Sequence, residues 1–159
     1  MADNYLFVPG YAVRPEHYGP DVFEQVSGIP WTDIQGLSRG WGTSFRGKQN
    51  VQTWFHFPIT YPQMLNGKRM WCNLAGVTLS LEPANAFFQS MHLWDRRNRF
   101  FWIDNLNLTG NYGSTWTENI NWFRFPDYQV NGAVGISVLV YFDDAGTVTF
   151  TGAGLRLHD

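Results

Sequence analysis

Apolar and other side chains alternate with a period of two along most of this sequence, and that alternation constrains the fold more than any other feature. In residues 51–57 the apolar side chains fall on one side of an extended chain, while Trp54 and His56 fall on the other. Residues 75–81 and 87–94 repeat the pattern. A period of two is typical of strands that bury one face, whereas a helix repeats every 3.6 residues. The pattern therefore predicts strands and no long amphipathic helix.

Eight or nine such segments follow one another along the 159 residues, with turn-forming residues between them. Strands at intervals of about 8–12 residues are typical of a sandwich or barrel. Residues 95–98 are expected to close one hairpin, and residues 144–146 to close another between the last two strands. The sequence therefore predicts an all-β fold, a single-domain antiparallel β-sandwich of the jelly-roll type that spans residues 1–159.

Two stretches between the predicted strands are long and irregular, residues 15–36 and residues 109–119. Loops held on a rigid β-scaffold are common places for binding. These two loops are therefore the first places where we expect a ligand site.

Aromatic residues make up 18% of the chain, against 15% for charged residues, and the predicted strands divide them into sets. Five phenylalanines are expected in the core: Phe45, Phe55, Phe57, Phe101 and Phe142. Six other side chains are expected on the opposite strand face: Trp54, His56, Phe88, His92, Trp94 and Trp102. Because large exposed apolar patches are rare, the pattern favours a second small core, closed by a long loop, over an open pocket.

A third set of aromatic residues lies in the predicted loops: Trp31, Tyr112, Trp116 and Tyr128. Trp116 stands among hydroxyl and amide side chains, of which Asn119 is one. A sugar stacks its apolar face on a ring while short polar groups bond its hydroxyls. The same composition also describes a loop that one tryptophan pins to the scaffold, and this ordinary interpretation stays open beside the first.

The histidines are the main candidates for metal binding or proton transfer. The sequence contains neither a pair of histidine and carboxylate ligands spaced for one strand face nor a His-Glu-X-X-His segment, so it predicts no metal and no cofactor. A nucleophile elbow and a glycine-rich phosphate loop are also missing. His56 and His92 are expected on the same outer strand face, where they could act as acid and base in a catalytic alternative.

The charged residues and the single cysteine exclude several classes of partner. A net charge of −2 argues against nucleic acid, because binding its backbone needs a basic surface. No apolar run is long enough for a membrane span, and the first residues lack a signal-peptide pattern, so we expect a cytoplasmic protein unless another route exports it. Nine arginines against two lysines suggest guanidinium groups packed on rings. Cys72 is expected to be a buried, unreactive thiol.

Several stretches resemble a known family. They are Gly40-Trp41-Gly42-Thr43, Trp54-Phe55-His56-Phe57-Pro58-Ile59 and Gly135-Ile136-Ser137-Val138. Together they are similar to a family of small, mostly bacterial all-β domains without an assigned function. The resemblance runs from about Arg39 to Gly154; it implies a single all-β domain, and it transfers no active-site residues to this sequence.

Three functions remain open at this stage. The favoured one is a non-catalytic, lectin-like module that binds a carbohydrate or, instead, a small apolar ligand. The side chains expected to bind it are Trp31, Tyr112, Trp116, Asn119, Trp54 and Trp94. The second is a small enzyme of the cyclase or isomerase type, with an aromatic pocket that contains His56 and His92. The third is a structural protein that packs exposed rings into a homo-oligomer or larger assembly.

Overall fold

The computed structural model describes residues 4–17, 19–24, 37–60, 62, 64–65 and 67–159. This part of the chain contains fourteen strands and one turn of 3₁₀ helix, Gly10–Ala12. The strands are β1 (Asn4–Pro9), β2 (Arg14–Pro15), β3 (Leu37–Arg39), β4 (Gly42–Arg46), β5 (Val51–Ile59), β6 (Met64–Leu65), β7 (Lys68–Arg69), β8 (Trp71–Leu81), β9 (Ala86–Asp95), β10 (Asn98–Ile103), β11 (Gly110–Asn111), β12 (Trp122–Gln129), β13 (Val134–Phe142) and β14 (Thr147–His158).

The strands form two antiparallel sheets that pack face to face. One sheet has seven strands: β11, β8, β14, β4 and β3 run in order, β1 also pairs with β14, and β12 also pairs with β8. The other has five strands in the order β10, β9, β13, β5, β2. Strands β6 and β7 form a separate hairpin. The predicted all-β, jelly-roll-like sandwich is confirmed, and within the described residues the strands of five residues or more number nine.

The core lies between the two sheets and is filled by the strand faces that the alternation predicts. Phe55 and Phe57 of β5 reach it from the five-stranded sheet, and Phe150 of β14 reaches it from the seven-stranded sheet. The rings of Phe55 and Phe150 lie 4.8 Å apart. Burying such rings supplies much of the favourable free energy of folding, so the Phe-rich set identified in the sequence is structural.

A β-bulge in β9 overturns one prediction of strand face. Ser90 pairs with Leu139 and Phe88 pairs with Val140, so Gln89 has no partner on β13. One extra residue reverses the alternation, and Phe88 therefore points into the core, fully buried, with its ring 6.5 Å from that of Phe123. The prediction that Phe88 lies on the outer face with His92 and Trp94 is wrong.

The two predicted hairpins have different outcomes. Residues 96–97 do join β9 to β10 in one sheet, where Asp95 pairs with Asn98. Residues 143–146 instead connect β13 of the five-stranded sheet to β14 of the seven-stranded sheet. A tight turn is equally compatible with a hairpin and with a crossing between packed sheets, so the second hairpin prediction is wrong.

Cys72 is fully buried, as predicted. Burial, together with the negative charges of Asp95 and Asp127, raises the pKa of its thiol to about 12, so the reactive thiolate is not populated near neutral pH. The described residues contain no group of three or more potential metal-binding side chains. No helix in this part of the chain has the length and apolar character needed to cross a bilayer.

Candidate functional site

The outer face of the five-stranded sheet carries a row of side chains that runs across all five strands. The register places Trp102 of β10 opposite His92 of β9, His92 opposite Ser137 of β13, Ser137 opposite His56 of β5, and His56 opposite Arg14 of β2. Residues directly opposite in a sheet lie on the same face, close enough for side-chain contact. The topology thus brings together groups that are far apart in the sequence.

A second row lies on one side of this row. It runs from Arg99 through Trp94 and Gly135 to Pro58. Because Gly135 has no side chain, the outer surface of the sheet has a depression between Trp94 and Pro58. This depression is one reason why the outer face is a cleft and not a flat surface.

On the other side of the first row lies Trp54 of β5, opposite Leu139 of β13. The Trp54 carbonyl accepts a hydrogen bond of 2.7 Å from the backbone N–H of Glu16, which holds the chain beyond β2 against the rim.

The two rows and Trp54 enclose a cleft of about 740 Å³, which we call the sheet cleft. Its lining includes Arg14, Glu16, Trp54, His56, Pro58, His92, Trp94, Arg99, Gly135 and Ser137. The volume lies within the range of sites that hold small ligands. The sequence favoured a second closed core at this face, but in the described part of the chain it is an open cleft.

The second long loop runs over the other sheet and does not cover the sheet cleft. Within it, the N–H of Tyr112 donates to the Leu79 carbonyl, and the hydroxyl of Thr151 donates to the Gly113 carbonyl. Leu79 and Thr151 belong to the seven-stranded sheet. The first long loop, together with Trp31, falls largely outside the described residues.

Aromatic rings form two walls of the sheet cleft. Trp54 and His92 have ring centroids 4.6 Å apart and planes tilted by 45°. Trp94 lies on the other side of His92, with ring centroids 6.3 Å apart. Both tryptophans are partly exposed, so each offers ring surface to a ligand while its other side is held by packing.

Arg99 lies over two of the rings at one end of the sheet cleft. Its Cζ atom is 4.8 Å from the ring centroid of Trp102 and 5.9 Å from that of Trp94. These distances permit cation–π attraction. A bulge in β10 between Arg99 and Phe101 sets this position, and the expectation that arginines pack on rings is confirmed here.

His56 and Ser137 share a hydrogen bond at the floor, with Nδ1 and Oγ 2.9 Å apart. Burial lowers the pKa of His56, and the nearby charge of Glu16 opposes this shift in part. The imidazole is therefore neutral at pH 7. A neutral ring can both donate and accept hydrogen bonds, which suits hydroxyl groups of a ligand.

His92 is tied to a carboxylate. Asp104 Oδ1 accepts a hydrogen bond of 3.0 Å from His92 Nε2. Hydrogen bonding to His92 is the largest cause that lowers the pKa of Asp104, so its carboxylate stays ionised. The bond fixes the His92 ring against Trp54, and His92 thereby helps to position that wall.

The other predicted site residues lie elsewhere. Trp116 lies on the outer face of the seven-stranded sheet, with its ring 4.5 Å from that of Trp122. Tyr112 donates its hydroxyl to the Thr109 carbonyl, and Asn119, with a φ of 64°, occupies the tight turn before β12. The structure therefore brings Trp54 and Trp94 together and separates them from Trp116.

Sequence reasoning missed several residues that line the sheet cleft: Arg14, Glu16, Pro58, Arg99, Gly135 and Ser137. Ser137 could have been predicted as a lining residue, because a small polar residue among apolar strand neighbours leaves room for a ligand above it. The others depend on the register between distant strands, which the sequence pattern does not contain.

Comparisons with known proteins bear on the fold. No protein-family model matches the chain, and no curated protein matches it. The resemblance to a family without assigned function therefore stays a prediction. A solved structure described as the xylan-binding module CBM15 is similar at 14% sequence identity, with a TM-score of 0.55 and 99% of each chain covered. At this identity the likeness concerns the fold alone, and it agrees with the β-sandwich of the present chain.

Proposed function

We propose that this protein is a non-catalytic carbohydrate-binding module and that its ligand lies in the sheet cleft. The observation that carries the proposal is the arrangement of Trp54 and Trp94, two partly exposed rings beside the floor formed by Gly135 and Ser137. Tryptophan faces stack on the apolar faces of sugars. The small floor residues leave open space in the sheet cleft, where a sugar can lie against the exposed ring surfaces.

Polar groups around the rings supply the second half of sugar recognition. His56 and Ser137 at the floor and Arg14, Glu16 and Arg99 at the rim all line the sheet cleft. Together they offer donors and acceptors to hydroxyl groups. Few precisely placed polar groups in a mainly apolar site are the usual means of fixing a ligand's orientation.

Xylan is the first ligand to test. The similar solved structure is named as a xylan-binding module, and the outer sheet face of the present chain offers a cleft suited to a single glycan chain. The fold likeness supports the ligand class, and the ring geometry supports the location.

Isothermal titration calorimetry with xylo-oligosaccharides tests both parts. We expect Trp54→Ala and Trp94→Ala each to weaken binding by roughly tenfold or more, because central aromatic contacts carry most binding energy. Trp41→Ala is the matched control, since Trp41 is 59% exposed and does not line the sheet cleft. Unchanged affinity in both cleft variants would exclude this location, and the absence of binding to xylan, glucan, mannan and chitin oligosaccharides would exclude the function.

A small enzyme is the second candidate, because one cleft holds both imidazoles. His56 has a lowered pKa and could accept a proton from a ligand, and His92 is positioned by Asp104. In this alternative the glycan or apolar ligand is chemically changed. Incubation of candidate ligands with the protein, followed by mass spectrometry, separates the two functions: a product that His56→Gln no longer forms supports the enzyme.

A further inference from the structure

A second set of exposed rings lies on the outer face of the seven-stranded sheet, opposite the sheet cleft. Its exposed members are Tyr5, Phe7 and Trp116, which pack on the buried Trp122, and we call these four rings the aromatic platform. Phe7 is 56% exposed and Tyr5 48% exposed, while Trp116 is 38% exposed. Exposed apolar patches that join several large side chains commonly mark binding surfaces.

The rings of Tyr5 and Phe7 are nearly parallel. Their planes differ by 5°, and their centroids are 6.2 Å apart. This centroid separation lies within the range of offset, parallel aromatic pairs. Trp122 supports both, with centroids 6.4 Å from each ring and planes within 26°.

Two glycines allow the platform to lie close to the sheet. Phe7 lies over Gly154 of β14, where an added Cβ would come within 2.6 Å of its ring. Trp122 lies over Gly76 of β8, where an added Cβ would come within 2.7 Å of its ring. Gly154 and Gly76 are themselves register partners. Any larger residue at either glycine would push a ring away from the sheet.

A neutral cleft of about 470 Å³ adjoins the platform. Phe7 and Trp116 line it together with Thr78, Ser114 and Thr151, and none of its lining residues is charged. The Trp116 plane is tilted by 43° from that of Phe7, so Trp116 forms a wall beside the flat rings. This cleft therefore offers ring faces, hydroxyl groups and no charged side chain, whereas Arg156 lies beside Tyr5, as its register partner, at the other end of the platform.

We propose that the aromatic platform is a second glycan-binding surface, which binds the flat face of a neutral polysaccharide at the surface of an insoluble particle. Tyr5 and Phe7 are both exposed, and Phe7 lies close to the sheet over Gly154, so a broad surface can reach both rings at once. The uncharged lining is complementary to an uncharged ligand. The inference goes beyond the proposed cleft site and stands on separate residues.

Adsorption to microcrystalline cellulose, measured as a depletion isotherm, tests the proposal. We expect the wild-type protein to adsorb and Phe7→Leu to lower the partition coefficient roughly tenfold, because leucine keeps apolar area but has no ring face. Gly154→Ala should also lower it, although it removes no ring, since the added methyl tilts Phe7. Trp41→Ala is the matched control and should adsorb like the wild type. Thermal denaturation of each variant verifies folding.

Three results would overturn the proposal. The first is a wild-type protein that does not adsorb. The second is equal adsorption of wild type, Phe7→Leu and Tyr5→Ala. The third is a concentration-dependent dimer that Phe7→Leu dissociates, because a second copy would then cover the platform. Binding of soluble xylo-oligosaccharides by the wild type, measured in parallel, distinguishes the two sites: it reports on the sheet cleft, and cellulose adsorption reports on the platform.

Discussion

Gly135 and Ser137 determine at the residue scale whether the outer face of the five-stranded sheet can hold a ligand. Both belong to β13, the central strand, and both have large neighbours on β9, namely Trp94 and His92. Large side chains at these positions would fill the floor of the sheet cleft. We therefore expect the affinity for a glycan to depend on the absence of large side chains at these two positions.

Gly135→Val is expected to weaken glycan binding roughly tenfold without lowering the melting temperature. A Cβ at this position has its nearest neighbour, the Cβ of Trp94, at 4.0 Å, so a side chain can start here without moving the backbone. Valine is also a better strand residue than glycine. Calorimetry and thermal denaturation of the same samples measure both effects. An affinity within twofold of the wild type would mean that the ligand does not occupy the floor.

His56 gives the protein a specific dependence of stability on pH. Because burial lowers its pKa in the folded state, the unfolded chain binds more protons between that lowered value and the ordinary value of 6.5. Stability contributed by the neutral ring is therefore fully present above pH 6.5 and is lost as the pH falls through this window.

His56→Gln should reduce the loss of stability between pH 7.5 and pH 5, because glutamine keeps a partner for Ser137 and does not titrate. Melting temperatures at intervals of half a pH unit measure the slope for both proteins. Parallel curves for wild type and variant would show that His56 does not contribute.

At the scale of elements, the bulge in β9 decides which aromatic side chains reach the sheet cleft. It sends Phe88 to the core and keeps His92 and Trp94 on the outer face. The sequence pattern does not reveal this bulge. Both faces of β9 contain large apolar residues, so the alternation looks similar with the bulge and without it.

Phe88→Ala should destabilise the protein by about 3–5 kcal/mol, the usual cost of a large cavity in a packed core. Trp94→Ala should cost much less, because Trp94 is partly exposed. Denaturant unfolding measures both values. A loss below about 1 kcal/mol for Phe88→Ala would mean that this ring lies outside the core.

The strands were predictable where one face is buried and the other is not. The faces of β5 and the outer positions His92 and Trp94 of β9 were read correctly from alternation alone. The crossing from β13 to β14 was not, since both strands are central and equally apolar. The meeting of Arg14 with His56 also escaped prediction, because it requires the register of β2 on β5.

At the scale of the whole molecule, the sandwich places the sheet cleft and the aromatic platform on opposite outer faces. Two sites on opposite faces cannot both contact one flat ligand surface, but they can join two polysaccharide chains. Linking two binding events raises the overall avidity without new contacts.

The wild-type protein is therefore expected to cross-link a soluble chain to an insoluble one. Fluorescently labelled xylo-oligosaccharide should be retained on microcrystalline cellulose only when the protein is present, and the Phe7→Leu variant should retain less. Equal retention by both proteins would contradict a bridging role.

Above all, we propose that a glycan binds in the sheet cleft, against Trp54 and Trp94. The eight tryptophans provide eight indole N–H resonances, which a titration with xylo-oligosaccharide can follow individually by NMR after assignment with single variants. The account predicts that the Trp54 and Trp94 resonances shift together, with one dissociation constant. Unshifted Trp54 and Trp94 resonances, in a titration that moves other indoles or none, would contradict it.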